Sequence, residues 1–170
     1  MEEIDAASLD ALTATYARGP GMDEVERDRS RADRTREPLT LAFVDVWASP
    51  AGDRLLRPVA DVLRAHIRPH DVTVRYGGDE FVCALTGMAL AEAAERLAAV
   101  NAALAEASER GSITLGLAEL EAGQSLPSLT QRADDALYRQ RRRRRHQLDD
   151  TSSGPRRRGT GRGAQAPSTP

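Results

Sequence analysis

An α+β fold is predicted for this chain, with a central βαββαβ order of the ferredoxin-like kind: an antiparallel sheet with helices packed on one face. Three features carry that expectation. Residues 39–46 (Leu-Thr-Leu-Ala-Phe-Val-Asp-Val) form a near-continuous apolar run, as a central strand should. Two β-rich runs, residues 72–74 and 81–85, flank Gly77-Gly78 and read as a tight hairpin. Two long helical stretches, residues 89–109 and 126–145, enclose a further strand at residues 112–119.

The elements follow in order. Residues 22–36 are highly charged and lack Gly and Pro, which predicts an exposed helix before the first strand. After that strand, Trp47-Ala48-Ser49-Pro50-Ala51-Gly52 is a loop by composition. Asp53 is placed to cap a helix whose Leu55, Leu56, Val59, Val62, Leu63 and Ile67 recur at helical spacing. Pro58 requires that helix to start near Arg57 or to kink. Residues 89–109 carry Ala93, Leu97, Val100 and Leu104 on one face, and Pro127 sits at the start of the last helix, where proline is tolerated. Beyond His146, Ser, Thr, Gly, Pro and Arg dominate. The expected organisation is a short N-terminal segment at 1–9, one domain at 10–146 and a disordered basic tail at 147–170.

Composition narrows the classes. The 170 residues fit one domain with a tail. All 24 basic side chains are Arg, and ten of them lie between Arg139 and Arg162, against only Asp149 and Asp150 there. Residues 1–138 are therefore acidic, with 14 Arg against 24 Asp and Glu. The basic end lacks interleaved aromatics, so nucleic acid is disfavoured as a partner, although docking on an acidic protein partner stays open. Cys83 lies in an apolar run and reads as a buried small hydrophobe; with one cysteine and no apolar membrane-length stretch, a cytoplasmic location is expected.

The chemistry concentrates at Arg75-Tyr76-Gly77-Gly78-Asp79-Glu80-Phe81. Two carboxylates at a hairpin tip suit Mg²⁺, which takes oxygen ligands and shares them with phosphates. On these seven residues alone, an ordinary Gly-Gly hairpin with solvated acids fits as well. Asp45, ending the first strand, is expected to lie near Asp79 or Glu80 and to converge with them on one cation. Arg141 and Arg145, four apart on the last helix, face the same way and can pair with phosphate oxygens.

Five signatures occur in a fixed order: Asp10-Ala11-Leu12-Thr13; Asp45; Gly77-Gly78-Asp79-Glu80-Phe81; Ile113-Thr114-Leu115-Gly116-Leu117-Ala118; and Ala133-Asp134-Asp135-Ala136-Leu137-Tyr138. In these the chain resembles a GGDEF domain, the catalytic module of diguanylate cyclases, over about residues 10–146. The resemblance implies the nucleotidyl cyclase-like fold and condensation of two GTP into cyclic di-GMP. It implies Mg²⁺ or Mn²⁺ held by Asp45, the Val46 carbonyl, Asp79 and Glu80, with Asp79 and Glu80 as the catalytic acids. Asp53, Gly77, Gly78, Arg141 and Arg145 would bind substrate. Arg68 and Asp71, in the Arg-x-x-Asp form of Arg68-Pro69-His70-Asp71, would form the product-inhibition site. A homodimer is implied, since each GTP is joined to one held by a second domain, and regulation would come from a separate protein partner.

The chain departs from the family's pattern after Asp45. The usual long segment with its guanine-reading Asn is replaced by a passage about nine residues shorter that runs directly into Gly52-Asp53. That implies a weakened grip on the nucleotide, with Asp53 as the remaining guanine contact. The alternative reading is a catalytically impaired cyclic di-GMP receptor that binds through Arg68 and Asp71.

Overall fold

The computed structural model describes residues 6–47, 55–107 and 111–152. A single 3₁₀ turn, Ala6–Ser8, precedes the strands and helices β1 (Tyr16–Ala17), α1 (Arg18–Thr35), β2 (Leu39–Trp47), α2 (Leu56–His66), β3 (Val72–Arg75), β4 (Glu80–Thr86), α3 (Leu90–Glu106), β5 (Ser112–Glu119) and α4 (Leu126–Ser152). The strands form one sheet in the order β1-β3-β4-β2-β5. The βαββαβ core is present as expected. The sheet is mixed, however: β3, β4, β2 and β5 pair antiparallel, while β1 adds to β3 in parallel.

Helices cover both faces of the sheet, which corrects the expectation of one covered face. The physical reason lies in β2. Side chains alternate across a strand, and β2 is buried on both sides. Ala42, Val44 and Val46 pack with α2 and α3 residues such as Leu56, Leu63, Leu97 and Val100. Leu41 and Phe43 pack with Val25 of α1 and Leu129, Ala133 and Leu137 of α4. Thr40, fully buried in this run, is satisfied by donating its hydroxyl to the Met88 carbonyl at 2.9 Å.

The helix boundaries shift for local reasons. α1 starts at Arg18 rather than residue 22, because Gly19, Pro20 and Gly21 occupy its first turn, whose N–H groups need no intrahelical acceptor. It is also not wholly exposed, since Val25, Asp28 and Ala32 are buried. Pro58 falls in the first turn of α2, which begins at Leu56, so its missing N–H breaks no helical bond. The expected cap Asp53 lies outside the described residues. α4 runs past the expected end near Arg145 to Ser152, so residues 147–152 of the tail expected to be disordered are helical, and the rest of that tail lies outside the described residues. Among the described residues no helix is long and apolar enough to cross a membrane. Cys83 is fully buried, as expected, and burial pushes its thiol up to about 12.

Two glycines set how closely the helices approach the sheet. A Cβ on Gly116 of β5 would fall 2.2 Å from the Ala133 carbonyl oxygen and 2.3 Å from the Leu137 nitrogen. A Cβ on Gly21 of α1 would fall 2.7 Å from Tyr16 Cβ and from Val74 Cγ2. The backbone of α4 therefore rests directly on β5.

Gly116→Ala is expected to lower the unfolding free energy by about 2–3 kcal/mol, because the obstructing atoms are backbone and the whole helix must move. Gly19→Ala meets nothing within 4 Å inside α1 and should be neutral or stabilising by up to ~1 kcal/mol. Urea titration of the two variants against wild type measures both effects.

Candidate active site

The site forms where the end of β2 meets the start of β4. Antiparallel register sets Asp45 directly opposite Glu80, and opposite Thr114 on its other side. Both carboxylates face α4, which brings Arg141 between them. The Arg141 guanidinium donates from Nε to Asp45 Oδ2 at 2.9 Å and from Nη2 to Glu80 Oε1 at 2.9 Å, with Asp45 Oδ1 2.5 Å from Nη2. Asp45 is buried and Glu80 is half-buried. Partial burial alone would pull the Arg141 pKa down, but the hydrogen bonds to Asp45 and Glu80 outweigh it and hold the guanidinium above its ordinary value. Two acids against one base leave the cluster with a net negative charge.

The expected three-acid set does not assemble. Asp45 and Glu80 come together as expected, yet among the described residues no group of three or more His, Cys, Asp or Glu gathers for a metal. Asp79 sits in the bend of the hairpin tip, one residue before β4 begins, so the register that sets Glu80 opposite Asp45 does not hold it. Asp79 is exposed, and its carbonyl accepts the Val46 N–H at 2.9 Å, tying the hairpin to β2. Arg145 lies one turn beyond Arg141 and is exposed. The residue before it, Arg144, instead fastens α4 to β5 by donating to Ser112 Oγ at 2.7 Å and Thr114 Oγ1 at 3.2 Å. Asp53 lies outside the described residues.

The hairpin tip spans residues 76–79 and is closed by the N–H groups of Tyr76 and Gly77, both donating to the Glu80 carbonyl at 2.8 and 3.1 Å. Neither Gly77 nor Gly78 has a left-handed φ, so the backbone freedom expected of this pair is not what the turn uses. What it uses is the missing side chain. A Cβ on Gly77 would lie 3.1 Å from Glu80 Oε2, and Gly78 opens on free space.

Three residues with no role assigned from the sequence brace this tip. Arg75 donates from Nη1 to both Asp10 oxygens at 3.1 and 3.2 Å and from Nη2 to the Gly78 carbonyl at 3.0 Å. Arg18 lies over the Tyr76 ring at 4.1 Å and donates to its hydroxyl at 3.0 Å, while Phe43 meets the same ring edge-on at 5.0 Å. A cavity of about 870 Å³ opens beside them, lined by Arg18, Met22, Phe43, Tyr76, Glu80 and Asp134 among others. The opening Asp10-Ala11-Leu12-Thr13 thus acquires a physical job: Asp10 accepts from the Thr13 N–H and hydroxyl at 2.9 and 2.7 Å and anchors Arg75.

Arg68 and Asp71 lie at the far end of β3 and β4. Asp71 has a fully buried side chain whose oxygens accept from the Arg68 N–H at 2.9 Å and the Thr86 N–H at 3.0 Å. Arg68 is partly exposed and reaches Glu92 Oε1 at 3.0 Å.

Replacing Arg141 by Met leaves Asp45 and Glu80 facing each other without a counter-charge, which should cost about 1–3 kcal/mol of stability. Mg²⁺ alone should then raise the melting temperature of Arg141→Met more than that of wild type; an equal response in thermal melts would show that the pair does not take a cation. For Asp10, burial raises the pKa, but the hydrogen bonds from Thr13 and Arg75 prevail and lower it. A carboxyl with a depressed folded pKa stabilises above its unfolded value, and that contribution is lost as pH falls through the folded one. Asp10→Asn should therefore be less stable than wild type by about 1–2 kcal/mol at neutral pH. The gap should close as urea titrations are carried below about pH 4.

The geometry has close counterparts among known proteins. A family model described as "Diguanylate cyclase, GGDEF domain" matches residues 7–147. The chain is similar to the diguanylate cyclase DgcP of Pseudomonas aeruginosa, 31% identical over 164 residues that cover 87% of this chain and 24% of that protein. It is similar to the diguanylate cyclase DosC of Escherichia coli, 28% identical over 168 residues, 88% of this chain and 36% of that protein. The chain thus spans between a quarter and about a third of these relatives' lengths. Its fold is like that of the GGDEF domain of DgcB from Caulobacter crescentus, solved with c-di-GMP, at TM-score 0.72 and 27% identity over 84% of this chain and 91% of that one. It is also like the diguanylate cyclase SiaD of Pseudomonas aeruginosa, solved with its activator SiaC, at TM-score 0.68 and 25% identity over 88% of this chain and 60% of that one. With a family match over most of its length and these signatures in their own order, the chain belongs to the GGDEF diguanylate cyclase family.

Proposed function

We propose that this domain condenses two GTP into cyclic di-GMP. The observation that supports it most is the paired Asp45 and Glu80, set opposite each other by strand register and already holding one cationic group, Arg141. A pair of hard oxygen donors that accommodates a guanidinium suits a divalent ion that retains several of its waters, with the Val46 carbonyl as a further oxygen. Mg²⁺ or Mn²⁺ bound there would supply charge neutralisation of a triphosphate and acidify a nearby hydroxyl.

The chain's own residues then have defined tasks. Arg141 turns from the carboxylates to the triphosphate, and Arg145, one turn on, adds a second guanidinium for phosphate oxygens. Gly78, with nothing within 4 Å of its missing Cβ, lets the nucleotide lie against the backbone. The 3′-hydroxyl oxygen of one GTP attacks the α-phosphorus of the other and yields its proton to Asp79, exposed at the hairpin tip. The bond from that phosphorus to the bridging oxygen breaks and pyrophosphate leaves. A second, reciprocal transfer closes the ring, so two domains must face each other, each with one GTP.

Product binding at Arg68 is a second reading of the same chain. It is supported by a cavity of about 270 Å³ on which the partly exposed Arg68 side chain borders. In this reading the domain is regulated by cyclic di-GMP or serves as its receptor.

Purified protein incubated with GTP and Mg²⁺ should yield cyclic di-GMP by mass spectrometry, and Glu80→Gln should reduce the yield by about two to three decades. Discrimination of GTP from ATP should fall short of an intact guanine pocket by roughly ten- to hundred-fold. A folded, dimeric preparation that forms no product would overturn the enzyme reading.

A further inference from the structure

β5 is an outer strand of the sheet, so one of its edges pairs with β2 and the other faces away. Antiparallel pairing gives the N–H and C=O groups of successive residues alternately to the two edges. Two bonds fix which residues go where. The Leu120 N–H, just past the strand, reaches the Leu39 carbonyl at 2.8 Å, so Thr114, Gly116 and Ala118 also bond towards β2. The Val46 N–H turns to Asp79, away from its β5 neighbour Ile113. The outward groups therefore belong to Ile113, Leu115, Leu117 and Glu119.

Side chains seal this edge at both ends and leave its middle open. Asn101 of α3 accepts the Ile113 N–H on Oδ1 at 3.0 Å and donates from Nδ2 to the Ile113 carbonyl at 3.1 Å. Those are the two bonds that a residue of a neighbouring strand would make. Towards the other end, Arg132 of α4 donates to the Glu119 carbonyl at 3.0 Å. Between these bonds, the N–H and C=O groups of Leu115 and Leu117 have no hydrogen-bond partner among the described residues. Leu115 and Leu117 border a cavity of about 830 Å³, within the range that ligand clefts occupy.

The two walls of the cavity differ in chemistry. Leu115 and Leu117 turn their side chains to the α3 side of the sheet. There Ala94 and Leu90, the latter 41% exposed, continue the apolar surface. Gly116 faces α4, where Ala136, Gln140 and the exposed Arg143 form the wall. Among the described residues Arg143 makes no ion pair, whereas the adjacent Arg144 is held by Ser112 and Thr114.

We propose that the open middle of β5 docks an extended segment of a separate partner protein, which adds to the sheet and carries an apolar–acidic–apolar triplet. Residues set opposite Leu115 and Leu117 exchange N–H and C=O bonds with them and satisfy all four open groups. Side chains of paired residues share a face of the sheet, so these two meet the apolar α3 wall. The residue between them, opposite Gly116, points to the α4 wall. A carboxylate there reaches a guanidinium with no competing acid, which selects Asp or Glu for the middle position. A second copy of this chain is a poor occupant. Its own β5 offers Leu115-Gly116-Leu117, without an acid, and arrives with α3 and α4 packed beside it.

Fluorescence anisotropy of the full chain with labelled acetyl-Ser-Val-Glu-Val-Ser-amide tests the proposal, together with amide exchange followed by NMR. The peptide should bind at or below about 1 mM. It should slow exchange at Leu115 and Leu117, whose amides in the free protein should exchange faster than those of Gly116 and Ala118. Lys in place of the peptide's Glu should weaken binding about ten-fold, and Arg143→Glu should reverse the order of the two peptides. N-methylation of both valines removes the N–H groups that pair with β5 and should weaken binding at least ten-fold. No binding at 1 mM, or equal affinity for the N-methylated peptide, overturns strand addition. Equal affinity for the Lys peptide overturns the acidic triplet. Slow exchange at Leu115 and Leu117 in the free protein would show that this chain or a second copy already covers the edge, and would overturn the docking as well.

Discussion

The absent side chain of Gly116 determines where the last helix can lie. Because α4 rests backbone-on-strand against β5, with the Ala133 carbonyl and Leu137 nitrogen where a Cβ would be, the helix is set at a height no other residue would permit. Leu129, Ala133 and Leu137 on that side are fully buried. One turn beyond Leu137 the same face presents Arg141, which therefore arrives at the ends of β2 and β4 rather than above them. The charged cluster is a consequence of packing: apolar burial and close approach place the helix, and the electrostatics are fitted to that position.

The sheet supplies the other half of the geometry. Asp45 and Glu80 are opposite each other because the β2–β4 register runs unbroken from the Leu39–Thr86 pair to the Asp45–Glu80 pair. A slip of one residue would turn one of the two acids to the other face. The tip of the hairpin that carries Glu80 is tethered twice more, through the Arg75 link between Asp10 and the Gly78 carbonyl and through the Val46–Asp79 backbone bond. Rigid strands below and two tethers above position the tip without the left-handed glycine that such turns often require.

At the opposite end, the Arg68-Pro69-His70-Asp71 turn divides its charged side chains between the interior and the surface. The Asp71 carboxylate is spent on backbone N–H groups, whereas Arg68 extends outward to the surface. The unpaired oxygen of Asp28 sits beside them only because α1 crosses that end of the sheet, packing Val25 and Ala32 into the core on either side of it.

The sequence by itself determined the order and type of the main elements. The apolar run of β2, the β-rich runs of β3 and β4 flanking Gly77-Gly78 and the helical spacing of α2 and α3 are local patterns, legible from neighbouring residues alone. It also determined the pairing of Asp45 with the Gly77-Gly78-Asp79-Glu80-Phe81 hairpin, because motif and strand both lay in continuous segments. Only the tertiary structure decided that helices cover both faces, that the two-residue β1 joins in parallel, and that Asp79 stands apart from Asp45 and Glu80. It alone decided that Arg141 pairs with acids from two strands, that Asp10 reaches Arg75 and that Asp28 is buried in a helix that reads as solvated. These contacts join residues far apart in the chain, and their energies depend on burial and distance. Neither quantity exists until the sheet has formed and the helices have settled on it.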